Sequence, residues 1–548
     1  MKKTKRNIGI AVLVLIVAFI YYYVTLPAIN IHASGFWSFL LFALVIIIAV
    51  VAIHGMVKPG HAIENNTINL DFKNLKLSKK LKFLIGIFIA LVVVYIVGSI
   101  LSSPFINAKK YQSLLTIEER NFTDDIKEVD FNTIPLLDKD SAALLGNRKM
   151  GSMVDMVSQF EVSNTYAQIN YKDIPVRVAP LVYASPIKWL TNQSEGIPAY
   201  IMIDMTNQNT ECVKLEQGIK YSKAEYLNRN LYRHLRFNYP TYIFDEQISF
   251  EIGDDDIPYW ICPVKKFNIG LFGGQTIGNV VICNAITGEC KDYAVEDVPQ
   301  WVDKVYSAEL LVQLYDYSGL LKHGYWNSVL GQKDCLQSTN GYNYIALEDD
   351  VWVYSGITSV SGDQSNVGFV LMNQRTMETR YYKVEGAIED SAMSSAEGQV
   401  QNLGYQSTFP LLLNIANEPT YFMALKDDAG LVKKYAMVNV QKYQWVAIGD
   451  TVKECEKQYV QLLNTNGIIS ESAGEVKTIT GEITSLAPIV IEGTTHYYIC
   501  MKNSEDIFNI DMSNADLIEI VKYHEGDMIT LGYNNDDLTV STVVKIGK

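Results

Sequence analysis

Phe83-Leu-Ile-Gly-Ile-Phe-Ile-Ala-Leu-Val-Val-Val-Tyr-Ile-Val-Gly-Ser-Ile-Leu101 decides how this chain is read. The run carries no charge, and its length matches the ~20 apolar residues that cross a bilayer core. Two similar runs, Ile8–Ile29 and Phe36–Ile53, precede it, and none follows. The expectation is a membrane domain of three transmembrane helices over residues 1–101, carrying one large polar body.

Lys/Arg bias beside the membrane sets orientation. The leader carries Lys2, Lys3, Lys5 and Arg6, and the second loop carries Lys58, Lys73, Lys76, Lys79, Lys80 and Lys82. The first loop, around Asn30–Gly35, has neither Lys nor Arg. This pattern puts the N-terminus and second loop in the cytoplasm and residues 102–548 outside the cell membrane. A cleaved signal peptide is the rival reading of the first run. Its length and the interfacial Tyr21–Tyr23 argue for a span instead.

The whole chain has 46 Lys+Arg and 60 Asp+Glu; after Leu101 there remain 36 bases against 58 acids, a net charge of −22. So acidic a body repels nucleic acid and anionic lipid. The seven cysteines all lie in the body, too sparse for a disulfide scaffold. Cys283 and Cys290 flank a predicted hairpin turn, where a cross-strand disulfide fits in an oxidising compartment. The other reading makes them small buried hydrophobes. No Cys/His spacing suggests zinc, and no cofactor motif is present.

The body is too long for one core. Ser102–Leu136, polar and weakly periodic, reads as a stalk. An internal repeat follows: Ile197-Pro-Ala-Tyr-Ile-Met202, Ile257-Pro-Tyr-Trp-Ile-Cys262 and Glu418-Pro-Thr-Tyr-Phe-Met423. Proline opening a strand is tolerated because its missing N–H is not needed there, and the residues after it suit a pleated surface. A helix is expected after each strand pair: from Ser222, from Ser307, and over Val452–Leu463. A fourth variant begins at Gly341, with a hairpin over Gly368–Tyr382.

Val280-Val-Ile-Cys-Asn-Ala-Ile-Thr-Gly-Glu-Cys290 resembles the hairpin of PepSY modules, in which a short helix packs on an antiparallel sheet. The other units lack Thr-Gly-Glu. The resemblance implies an extracytoplasmic interaction or inhibitory module with no catalytic residues. Residues 137–340 are read as PepSY-like α+β repeats and 341–463 as further α+β repeat units. Within the latter, Ala387–Asn402 reads as a helix with Ala387, Ser391, Ser394/Ser395 and Gly398 on one close-packing face. Residues 464–473 read as a linker, and 474–548 as five strands and a helix in OB-fold-like order, forming a small C-terminal β-barrel. Ser513 and Asp516 are the expected cap of its helix. With five Lys against twelve Asp/Glu from Gly474 onward, its charge is wrong for nucleic acid.

No nucleophile elbow or HExxH motif occurs, and His234, His323, His496 and His524 are far apart in sequence. A serine nucleophile at Ser391 or Ser395 lacks a nearby base. Asp254–Asp256 and Glu348–Asp350 fit no calcium loop and read as turns. Gly270–Gly278 leads into a strand, not a helix, so it is no phosphate loop; Leu271 and Phe272 at its tip are candidates for contact with a partner or the membrane. Arg375 and Glu378, at a predicted hairpin end, are candidate interaction residues.

The fold class is α+β: three N-terminal transmembrane helices, tandem sheet-plus-helix modules and a C-terminal barrel. The functional expectation is a non-enzymatic, extracytoplasmic scaffold or regulatory binding protein of a bacterial cell envelope, with a protein partner. The alternatives are an envelope-glycan hydrolase using paired carboxylates, and nucleic-acid handling through the tail.

Overall fold

A computed structural model describes residues 2–56, 78–128, 134, 137–172, 174–359, 365–468, 477–491, 494–502, 504, 506–512, 514–534 and 540–547. Helices occupy Lys2–Thr25, Ser34–Met56 and Lys79–Leu101. Among the described residues two stretches are long and apolar enough to cross a membrane, Ser34–Ala52 and Lys79–Leu101, rather than three. The described apolar part of the first helix, Leu15–Thr25, covers only about 16 Å at 1.5 Å per residue. Lys58, Lys73 and Lys76 lie outside the described residues. The three helices meet at one level. Tyr21 stacks on Phe39 at 5.5 Å, and Trp37 meets Tyr95 at 5.9 Å. The end of the first helix, the start of the second and the end of the third therefore face the same way.

The chain forms two compact units, Met1–Tyr459 and Val460–Lys548. The first unit carries four larger sheets in chain order, antiparallel except for one edge strand of the third, and a two-stranded sheet of Ser365–Asn366 with Gly386–Ala387. The first sheet is built from Phe160–Val162, Ala167–Tyr171, Ile174–Tyr183, Ile197–Asp204 and Thr210–Ile219, and the second from Ser249–Ile252, Pro258–Ile269, Gly273–Asn284 and Cys290–Ala294. The third centres on Asp350–Ser359, Gly368–Asn373 and Thr379–Tyr382; the fourth centres on Glu418–Lys426 and Val432–Asn439. The Pro-containing repeats open long strands in the first, second and fourth sheets.

The repeated unit is defined more sharply by a hairpin. In all four larger sheets an Asx residue ends one strand and its side chain caps the turn, Asn439 doing so in the fourth, and in the first three the turn has one geometry. Asp204 accepts from Thr206 and Asn207 N–H, Asn284 from Ile286 and Thr287, and Asn373 from Arg375 and Thr376. The fourth residue after each is left-handed: Gln208, Gly288 and Met377. Its N–H donates back to the Asx carbonyl at 2.9, 2.9 and 3.0 Å, and the Asx N–H donates to the carbonyl of the fifth residue on. Asx side chains stabilise such turns by standing in for a backbone acceptor. The Thr-Gly-Glu of the second hairpin is one version of this turn.

The second sheet explains its own unbroken apolar run. Alternate residues face opposite sides, and both sides are buried. Trp260, Cys262, Val281 and Cys283 enter one core with the first sheet, while Ile261, Val280 and Ile282 enter another with Ala308–Leu320 and the third sheet. The Ala308–Leu320 helix starts where expected, with Ser307 accepting from Leu310 N–H.

Three sequence expectations are corrected. The helix assigned to Ser222 begins instead after Asn230, which caps Leu231–Asn238; Ser222 Oγ accepts from Ala224 N–H in a local turn. Ser102–Leu136 is no free stalk. Glu118–Arg120 adds a parallel strand to the third sheet, and Tyr111, Leu115, Phe122 and Ile126 are buried. In the Glu389–Gln399 helix the buried face is Glu389, Ala392 and Ala396, whereas Ser394 and Gly398 are exposed.

In the second unit Lys477–Ile491, Thr494–Met501, Ile507–Asp511, Met528–Asn534 and Val540–Gly547 pair in a closed ring. The third and fifth strands run parallel, and the fourth pairs back to the first. Ile499, Phe508, Ile510 and Leu531 fill the interior. Ala515–Lys522, between the third and fourth strands, is a 3-10 helix. Residues 469–473, half of the 464–473 linker, together with the Ser513 and Asp516 side chains, lie outside the described residues.

Candidate functional site

The Pro258–Ile269/Gly273–Asn284 hairpin brings its tip onto the ends of the N-terminal apolar helices. Leu271 and Phe272 are half-buried there. Phe272 packs against Tyr95 at 5.1 Å and Trp37 at 6.4 Å, and Leu271 lies over Gly98. A Cβ at Gly98 would sit 2.5 Å from Leu271 Cδ1, so any larger residue there makes the Leu271 side chain shift. Ser102, at the helix end, organises the joint. Its hydroxyl donates to Gly98 O at 2.6 Å and accepts from Leu271 N–H at 2.8 Å and Phe272 N–H at 3.1 Å. Tyr111 OH donates to Ser102 O at 2.6 Å, and His32 Nδ1 lies 2.7 Å from Leu271 O.

A second joint holds the other helix ends. Ile29 N–H donates to Pro240 O, Asn30 Nδ2 to Thr241 O, and the buried Arg236 reaches Leu26 O at 2.9 Å and Tyr242 O at 2.6 Å. Arg233 lies over the Tyr23 ring at 4.2 Å. Beside the third helix, exposed Phe105 touches Tyr325 and the exposed Trp326, with Val329 and Leu330 also exposed nearby in the chain.

Arg375 and Glu378 do sit at a hairpin turn, but both are paired within the chain. Arg375 makes a two-pronged pair with the buried Asp350, at 2.6 and 2.7 Å. Glu378 pairs with Arg380 at 2.7 Å, and Arg120 stands at 3.7 Å. Arg380 also binds Glu348 and stacks over Trp352 at 4.3 Å. The acidic runs are likewise partnered: Asp256 with Lys172, Asp255 with Tyr259, and Asp349 with Asn170.

Cys283 and Cys290 are direct partners across the second sheet. Both thiols are free, Cys283 buried and Cys290 half-buried. His234, from the Leu231–Asn238 helix, completes a cluster whose donor atoms all lie within 4.8 Å of one another. It is the one group of three donors able to hold a metal ion among the described residues, one short of a closed tetrahedral zinc site. His234 Nε2 lies 2.7 Å from Gly288 O, which fixes the ring. Sequence spacing alone does not reveal this cluster, because His234 lies 49 and 56 positions before the two cysteines.

Glu251 and Asp303 are neighbouring buried acids, at 0% and 2% exposure. Glu251 accepts from Ser249 OH and from the N–H groups of Asp303 and Lys304. Burial and then the Glu251 charge push the Asp303 carboxyl well above its ordinary value. Burial raises the Glu251 carboxyl too, and the donors around it oppose that shift. A nearby cavity of about 200 Å³ is lined by Lys223, Asp245, Ser249, Trp260, Lys304 and Tyr344. Lys223 donates to Ile248 O and stands 5.5 Å above Trp260.

No family model matches the chain, and no curated protein does. Among solved structures, a Bombyx mori GH32 beta-fructofuranosidase mutant in complex with sucrose is 10% identical, with TM-score 0.19, over 73% of this chain and 69% of that one. An ACO/RPE65 chimera is 7% identical, with TM-score 0.15, over 72% of this chain and 66% of that one. Likeness at that level carries no argument about fold or function.

Proposed function

We propose that the chain is a membrane-anchored scaffold or regulatory binding protein of a bacterial cell envelope, with its polar body outside the cytoplasm. In this reading the Lys2–Thr25 helix is a third span and the leader is cytoplasmic. The observation that carries it is the pair of stapled joints. The body is tied through Ser102, Arg236 and Asn30 to one level of the helix bundle, the level reached by the ends of the first and third helices and the start of the second. A basic leader at the opposite end of the first helix supports the orientation. Exposed Phe105, Trp326 and Leu330 beside the third helix suit a seat in the headgroup layer.

The tandem sheets are read as PepSY-like interaction modules, and the closed five-strand ring, with its parallel third and fifth strands, supports an OB-like barrel. A hydrolase would need two acids in an open cleft with room for a sugar and water; Glu251 and Asp303 are sealed. The test pairs two assays on the full chain in detergent. Isolated envelope polymer should release no new reducing ends, and photo-crosslinkers at exposed Val154 and Leu330 in living cells should compare body and membrane-proximal neighbours. Polymer cleavage that Asp303→Asn abolishes would overturn the binding reading.

A further inference from the structure

The three Asx hairpins provide an internal control. In each, the residue before the Asx pairs across the sheet with the sixth residue after it: Ile203 with Thr210, Cys283 with Cys290, and Met372 with Thr379. The fold therefore accepts an ordinary apolar/Thr pair at this position, and the second hairpin alone has two cysteines. The register makes the site suitable for thiol chemistry. Asn284 N–H bonds to Glu289 O, so the adjoining 283/290 pair is of the non-hydrogen-bonded kind. In such pairs the Cα atoms stand about 4.5 Å apart, inside the range a disulfide bridges.

The surroundings distinguish the two sulfurs. Cys283 is buried on the central strand, whereas Cys290 lies on the edge strand and is half-buried. His234 is held against the turn by Gly288 O and by Tyr221, whose ring lies 4.5 Å away. The two sulfurs and a His234 ring nitrogen lie within 4.8 Å of one another, with Asn284 O and Gly288 O the backbone acceptors for the two thiols; the nearby Cys283 thiol, and then His234, lower Cys290 to about 6 against the opposing effect of burial. Low-pKa, accessible thiols next to a resolving cysteine are the ones that exchange with disulfides.

We propose that Cys290 and Cys283 are a thiol–disulfide exchange site, with Cys290 the attacking sulfur, Cys283 the resolving one and His234 the positioning residue for Cys290. The co-reactant is a low-molecular-weight disulfide, R–S–S–R. The Cys290 thiolate attacks one sulfur, forming Cys290–S–S–R and releasing R–S⁻. The Cys283 thiol then loses its proton to solvent and attacks the Cys290 sulfur. That bond displaces the second R–S⁻ and leaves Cys283–S–S–Cys290. Two protein thiols are oxidised by two electrons, and one small disulfide is reduced to two thiols.

The test uses the reduced full chain in detergent and oxidised glutathione as the probe. Cleavage after Glu289 places the two cysteines on separate peptides, joined only by a disulfide between them. The expected first product is that linked pair, ahead of any other cysteine. Cys283→Ile should instead trap one glutathione on Cys290. Alkylation of Cys290 at pH 7 should exceed that of an ordinary thiol by roughly tenfold or more, and His234→Ala should lower it. Cys283→Ile/Cys290→Thr, which copies the first hairpin, should keep the wild-type unfolding midpoint and form no such link. Glutathione adding first to Cys283, ordinary reactivity at Cys290, or thiols that react only after a chelator removes a metal would each overturn the proposal.

Discussion

Ser102→Ala tests how the body is fixed to its helices. The Ser102 hydroxyl is the acceptor for two hairpin-tip N–H groups, at 2.8 and 3.1 Å. Removing it strands both. A buried donor without a partner costs about 1–3 kcal/mol. Because the tip is half-buried and water can reach part of it, the low end applies to each, giving a total of about 2 kcal/mol. That corresponds to a roughly 30-fold larger opening constant for the joint, at 1.4 kcal/mol per tenfold. Hydrogen exchange of peptides covering residues 267–275, in detergent or nanodiscs, reads this directly. Strand Glu418–Lys426 of the fourth sheet should exchange as in the wild type. Tyr111→Phe, which removes one bond to Ser102 O, should speed tip exchange about fivefold. If Ser102→Ala leaves tip exchange unchanged, the joint is not held as described.

Other outcomes follow from the same packing. Trp260→Ala should destabilise the first unit by about 3–5 kcal/mol, since the ring is fully buried between two sheets; chemical denaturation would show it. Arg375→Ala should cost about 3–5 kcal/mol by leaving Asp350 charged and buried, and adding Asp350→Asn should recover much of that, whereas Glu378→Gln, at a part-exposed carboxylate, should cost under ~1 kcal/mol. Asp303 gives a pH signature. Its carboxyl is raised in the fold above the ordinary 3.8, so the folded state keeps a proton the unfolded chain gives up. The stabilisation is complete below the unfolded value and drains away as pH rises toward the folded one. Asp303→Asn should therefore flatten the fall in unfolding midpoint as pH rises above the ordinary carboxyl value; an unchanged slope would refute the assignment. Trp326→Phe should remove part of the tryptophan quenching produced by brominated lipids, because the ring is exposed beside the third helix.

What could be read in the sequence was local. Ser307 and its following apolar stripe located a helix, and Pro-opened aromatic runs located the long strands. Cys283 and Cys290 were placed across one turn because a hairpin register follows from the turn. Ser222 misled because Asn230, eight residues on, is an equally good cap and precedes the better apolar spacing. The hairpin repeat was half-seen. Thr-Gly-Glu drew attention, but the conserved geometry rests on Asp204, Asn284 and Asn373, with Thr-Gly-Glu in only one of them. Partners far apart in sequence stayed hidden. Ser102 meets Leu271 across 169 positions, and His234 meets Gly288 across 54. A flexible tip and a docked tip share one composition, so Leu271 and Phe272 looked free, and Arg375 and Glu378 looked exposed until their buried partners Asp350 and Arg380 were in place. The stalk reading failed for the same reason: Glu118–Arg120 is a strand only because Thr379–Tyr382 lies beside it.

The most direct measurement is the side of the membrane on which the body lies. Fusing to the C-terminus, in turn, a reporter active only outside the cytoplasm and one active only inside it should give signal from the outside reporter alone. Signal from the inside reporter alone would contradict the account: it would remove the third span, place residues 102–548 in a reducing compartment and leave the envelope reading without support.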